Sequence, residues 1–276
     1  MLKKIGFILS TVFFSSNLCC SSEIEKYDIS GIKLNDNIEN SLNIIKKDNK
    51  YINIETTKSS FTKGMFKSKD IILSYDCNQD YAFSSKEDFI NRSYLLTIDL
   101  EKNKNITSIE QRIFFKNGHE NFKLAEDIMV AFNKKYGKPD YINYNKSGNT
   151  IIGTYCLWTK NKLNPEFEKK IMANTKGYYF NILYHVPYGA RSGKFYNEQS
   201  DKNTIDIINI DKYLMCKIEH DVNNGYNHLG KNYQCILVDL KSIFNSKEWL
   251  LNHINTEEGK FNNEDTQKRK TTEIKL

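Results

Sequence analysis

The side chains able to do chemistry in this 276-residue chain are chiefly six cysteines and five histidines. Cys77, Cys156, Cys216 and Cys235 are spread over the body of the sequence, and Cys19 and Cys20 lie side by side near its start. None of the four body cysteines belongs to a Cys-x-x-Cys pair, so spacing supports neither a zinc ribbon nor a thioredoxin-like redox centre. An even set in an exported chain reads instead as a disulfide framework. Four cysteines allow three pairings. A short loop closed between neighbouring strands favours Cys216 with Cys235, which leaves Cys77 to clasp Cys156 across two halves of the chain. Closing loops of these lengths contributes about 3 to 4 kcal/mol each in the chain-entropy account.

The histidines define an alternative chemistry. His220-Asp221 and His228 lie within one short stretch, with His185 and Asp239 on neighbouring expected strands, a set that would suit a metal or an acid–base pair in an exported hydrolase. Against this, the spacing of His220 and His228 matches no regular metal motif, and the Asn and Gly between them mark a loop. Gly-x-Ser-x-Gly does not occur in the sequence, and phosphate-loop and dinucleotide motifs are equally missing. Tyr188-Gly-Ala-Arg-Ser-Gly-Lys194 combines two glycines with two cations, but without a strand-to-helix setting it reads as a flexible loop. Trp158, Tyr188 and Arg191 are the candidate binding residues. No catalytic residue, metal or cofactor is expected.

The compartment follows from the first two dozen residues. Lys3 and Lys4 precede an apolar run from Ile5 to Phe14 and a small, polar segment to Ser22, the layout of a secretory signal peptide over residues 1–22. An apolar core of about ten residues is too short for a permanent span, and no later run reaches the needed length. Periplasmic or secreted placement is therefore expected. A lipid anchor on Cys19 or Cys20 is the alternative to simple cleavage, but Ser16-Asn17-Leu18 and Asn17-Leu18-Cys19 depart from the small, apolar flanks that lipidation requires.

Composition agrees with a folded, charged surface: 27% of residues are Asp, Glu, Lys or Arg, and only three are Pro. The formal charge of +6 includes Lys3 and Lys4, and without a basic run of five or more it gives no footprint for nucleic acid.

The elements that must position these residues are read from periodicity. Ile38, Leu42 and Ile45 recur at helical spacing after a cap at Asn35 or Asp36. Strands follow around Ile52–Ile54, Ile71–Tyr75, Tyr94–Leu100 and Ile106–Phe115. A second helix, Glu120 to Tyr136, carries Phe122, Ala125, Ile128, Met129, Phe132 and Tyr136 on one face and ends at Gly137 and Pro139. Strands are then expected at Tyr141–Tyr144, Ile151–Trp158, Tyr178–Val186, within Ile205–Ile218 and at Gln234–Leu240, before a helix from Ser242 to His253. This order predicts an α+β fold of two tandem helix-plus-antiparallel-strand units, with helices packed on sheet, over residues 23–118 and 119–255, and a mobile charged tail over 256–276.

Gly31-Ile-Lys-Leu-Asn-Asp-Asn-Ile-Glu-Asn-Ser-Leu42 resembles the "Gly-apolar-x-Leu-Gly-x-Ser-x-Glu" helix start of certain exported bacterial proteins. Lys135-Tyr136-Gly137-Lys138-Pro139 with Trp158 is similar to their "KYGKP … W" segment. The group is that of the outer-membrane assembly lipoproteins of the SmpA/OmlA type and the beta-lactamase inhibitor protein. In this chain Asn35 replaces the second glycine. The resemblance implies a non-catalytic binding or envelope-assembly protein whose partner is another protein or an envelope component. An exported hydrolase or metal enzyme around His185, His220 and His228 is one alternative, and an envelope toxin or immunity protein is another.

Overall fold

One antiparallel sheet is the largest element of the fold. The computed structural model describes residues 24–48, 52–63, 65–79, 90–102, 105–115, 123–173, 180, 183–184, 209–222 and 229–271. Within them, helix α1 (Ile38–Asp48) is followed by strand β1 (Ile52–Ser59), a small hairpin of β2 (Thr62–Lys63) and β3 (Phe66–Lys67), and strands β4 (Ile71–Gln79), β5 (Ile90–Ile98) and β6 (Ile106–Phe115). The chain continues through β7 (Lys123–Leu124), helix α2 (Ala125–Tyr136), β8 (Tyr141–Ser147), β9 (Thr150–Thr159), helix α3 (Pro165–Ala173), β10 (Lys212–His220), β11 (Leu229–Asp239) and helix α4 (Leu240–Thr271).

The strand order is β1-β4-β5-β6-β11-β10-β9-β8, with β7 also paired to β11, giving nine strands in one sheet among the described residues. This overturns the expected two tandem helix-on-sheet units. Strands β6 and β11 pair in register from Ser108↔Val238 to Phe114↔Asn232, so the strands from both parts of the sequence form one hydrogen-bonded surface. Local periodicity sets each strand, but which edges meet is a long-range choice that an unpaired edge decides by recruiting a partner.

The period of two divides the side chains of each strand between two faces. On one face Trp158, Leu214, Ile218, Leu237, Ile109 and Leu96 pack against α1 and α2. On the other, Leu157, Tyr213, Met215, Ile236 and Val238 pack against Ile171 of α3 and Leu240 and Ile243 of α4. The sheet is thus a middle layer with helices on both sides.

Helix boundaries carry further corrections. Asn37, not Asn35 or Asp36, caps α1, its Oδ1 accepting from the Glu39 amide at 2.9 Å. Asn35 instead takes a left-handed turn at φ 66° and donates its amide to the Ile106 carbonyl at 2.8 Å. Helix α2 begins at Ala125, since Lys123 and Leu124 are held as a strand against Gly230 and Leu229. A strand was expected over 178–186, yet the described residues there, Phe180, Leu183 and Tyr184, are helical, with Phe180 and Leu183 buried three positions apart. A short apolar run does not distinguish strand from buried helix. Residues 256–271 continue α4 where a mobile tail was expected, and Phe261 lies 5.8 Å from the Phe66 ring of the small hairpin. No helix of the described residues is long and apolar enough to cross a membrane.

Candidate functional site

The registered pairs Arg92↔Ile113↔Tyr233 and Tyr94↔Gln111↔Cys235 place two rungs of side chains side by side on the α2 face of the sheet. Helix α2 lies above them because Ala125, Ile128, Phe132 and Tyr136 recur at helical spacing and are all buried. Its seat is tight at Gly230, where an added Cβ would stand 2.8 Å from Ile128 Cδ1 and 3.0 Å from Ile218 Cγ2. Along α2 from Asp127 to Tyr136 the contact opens into a cleft of about 480 Å³. Ile113, Phe115 and Tyr233 form its floor, Phe132 lies over them, and the exposed Ala131 stands at its edge. Arg92, Lys123, Asp127 and Lys135 also line it, Lys135 being paired with Asp28 at 3.0 Å. A volume of this size, an apolar floor and a few polar groups are the usual attributes of a small-molecule site.

One end of the cleft is closed by the segment before α1. Gln111 Nε2 donates to Ser30 Oγ at 2.6 Å and to the Tyr94 hydroxyl at 2.9 Å. The Tyr27 hydroxyl donates to the Tyr136 carbonyl at 2.7 Å, and the Tyr136 hydroxyl to the Asp28 carbonyl at 3.1 Å. Burial alone would raise the Asp28 carboxyl. The Gly31 amide at 2.7 Å and Lys135 at 3.0 Å outweigh it and hold the group below its ordinary value. Burial, with Asp28 nearby, pushes the Tyr136 phenol up, and burial does the same to Tyr233 against the pull of Arg92. Both tyrosines therefore stay neutral hydrogen-bonding groups near neutral pH.

The opposite face carries a second, polar cleft of about 340 Å³ on the rungs Arg112↔Gln234↔Lys217 and Phe114↔Asn232↔Glu219. Its charges are paired internally. Arg112 donates to Glu110 at 2.6 Å and to the Tyr184 hydroxyl at 3.0 Å, and Gln234 donates to Glu110. Burial alone would raise Glu219, but Lys217 at 2.7 Å and Asn232 at 2.8 Å keep it ionised below its usual range.

Cys216 and Cys235 stand opposite each other in register and are joined by a disulfide. Cys77 and Cys156, expected to pair, are both buried free thiols. They lie on β4 and β9, five strand steps apart in the sheet, or about 24 Å at the usual strand spacing. A disulfide needs Cα atoms within about 7 Å.

Trp158, a candidate binding residue, is fully buried, with its indole N–H donating to the Gly137 carbonyl at 3.0 Å and its ring edge-on to Phe132 and Tyr136. His220 is buried and shares a 2.9 Å hydrogen bond with Thr154. Tyr188, Arg191, His185, His228, Cys19 and Cys20 lie outside the described residues. Among the described residues no three His, Cys, Asp or Glu side chains are grouped to hold a metal.

The residues around the α2 cleft that sequence reading missed are Arg92, Gln111 and Tyr233. Arg92 had a usable signal: it shares strand parity with Tyr94, Leu96 and Ile98, a cation in line with a buried apolar row. No family model, no curated protein and no solved structure matches the chain.

Proposed function

We propose that this chain is an exported, non-catalytic binding protein of the periplasm or the extracellular space, and that the α2 cleft seats a small ligand with an apolar body and a polar head. The observation that carries this reading is the cleft itself, whose aromatic and aliphatic floor is bordered by the polar groups of Arg92, Lys123, Asp127 and Lys135. Export is supported by the basic and apolar leader over residues 1–22 and by the Cys216–Cys235 disulfide, a bond that persists in oxidising compartments. A protein or envelope partner, and lipidation at Cys19 or Cys20, belong to the same reading as further expectations.

The test is native mass spectrometry of the chain purified under gentle conditions from its own host. A retained small molecule is expected on the wild type and its loss on Ala131→Trp, which places an indole across the edge of the cleft. Envelope fractionation of the same cells locates the protein, and the mass of the mature N-terminus reads cleavage and lipidation together. Reproducible turnover by the purified protein, with no retained molecule, would replace the binding reading with an enzymatic one.

A further inference from the structure

Cys156, Cys216 and Cys235 stand in one row on β9, β10 and β11, with Cys216 in register with both of the others. All three belong to the α2 face of the sheet. The bond joins Cys216 to Cys235, and Cys156 keeps its thiol beside them. Registered antiparallel residues have Cα atoms about 4.5 to 5.5 Å apart, so either neighbour of Cys216 is within disulfide reach. We propose that these three cysteines form a disulfide-exchange site, in which the bond moves from Cys216–Cys235 to Cys156–Cys216 and frees the Cys235 thiol into the α2 cleft.

The step is balanced without an oxidant or reductant. The Cys156 thiolate attacks Cys216 Sγ, a Cys156–Cys216 bond forms as the Cys216–Cys235 bond breaks, and the electron pair leaves on Cys235, which takes up a proton. One disulfide and one thiol exist before and after. Because β10 lies between β9 and β11, the attacking, central and leaving residues follow one another along a single rung.

Helix α2 controls access to both ends of the row. The Cys156 thiol donates to Met129 Sδ at 3.1 Å, and Cys235 lines the cleft beneath Phe132. Burial pushes the Cys156 thiol up to about 12, so the attacking thiolate is scarce at neutral pH and the exchange is slow there. Raising the pH or lifting Met129 supplies the thiolate. Cys77 is an internal control, since it is also buried and pushed up to about 12, but its register neighbours are Ile54 and Tyr94.

The experiment holds the full chain folded between pH 7 and 10, quenches with acid, alkylates free thiols, and maps linked and labelled peptides by mass spectrometry. A Cys156–Cys216 peptide and labelled Cys235 are expected to appear together, at a rate rising about tenfold per pH unit below the thiol's pKa and independent of protein concentration. Cys77→Ser should leave the rate unchanged, Met129→Ala should raise it, and Cys156→Ser should abolish Cys235 labelling. If Met129→Ala fails to fold, the wild-type pH series and Cys156→Ser still decide. A Cys216–Cys235 bond that is the sole linkage at every pH where the chain stays folded would overturn the proposal. So would equal Cys235 labelling in Cys156→Ser, or a rate that scales with concentration.

Discussion

Gly137 ends α2 at φ 77° and ψ −179°, a backbone region open almost exclusively to glycine, while its carbonyl accepts from Trp158. An added Cβ would meet nothing within 4 Å, so any cost of substitution is conformational. Gly137→Ala is expected to lower stability by about 1 to 3 kcal/mol, read as a shift of the denaturant midpoint at constant slope. A second residue-scale expectation concerns Cys77. Burial first, then Asp76, raises its thiol from an ordinary value near 9.0 to about 12. Below pH 9 both folded and unfolded chains keep the proton, and this contribution to stability is complete. Between about 9 and 12 the unfolded thiol ionises and the folded one does not, so stability falls by about 1.4 kcal/mol per pH unit for that thiol. Cys77→Ala should flatten the alkaline slope by this amount in denaturation measured at stepped pH, and an unchanged slope would remove the assignment. At this scale the sequence was legible where chemistry is local. The glycine stop of α2 and the Cys216–Cys235 pair both follow from near neighbours in the chain. The Cys77–Cys156 pairing failed because strand order, which separates the two residues, is not written in either segment.

Helix α2 is the element on which the candidate site depends. Its buried stripe of Ile128, Phe132 and Tyr136 meets Trp158 and Tyr233, with the Phe132 ring 5.5 Å from Tyr233 and 6.5 Å from Trp158. Phe132→Ala is expected to cost about 3 to 5 kcal/mol from lost transfer energy and the cavity left behind. Lys134→Ala, on the exposed face, should stay within about 0.5 kcal/mol. Equal midpoints for the two variants would contradict the assigned face. The period of this helix was readable in the sequence because 3.6-residue spacing persists over three turns. Its start was misplaced because Lys123 and Leu124 are claimed by β11, a tertiary preference invisible to local patterning. Similarly, α4 ended early in the sequence reading because apolar residues thin out after Ile254. The helix nevertheless runs to Thr271, with Lys260 paired to Glu257 at 2.9 Å and Phe261 against the small hairpin.

The whole molecule is organised by the pairing of β6 with β11. That pairing lays Arg92, Ile113 and Tyr233 in one rung and so assembles the cleft from strands more than a hundred residues apart in the chain. Each strand was legible as alternation, but the junction was not, since alternation specifies a face and leaves the partner open. The cleft was therefore hidden from sequence even though its roof, α2, was the clearest helix in it. The most direct test of the ligand seat is a fluorescence titration with anilinonaphthalene sulfonate, an apolar ring system bearing one anionic group, on three folded proteins. Ala131 and its neighbour Val130 are both exposed, but only Ala131 lines the cleft. The wild type and Val130→Trp should each show one saturable site, and Ala131→Trp should lose it while keeping the same circular dichroism spectrum. Identical binding by all three, or no saturable binding by the wild type, would contradict a ligand seat beneath α2.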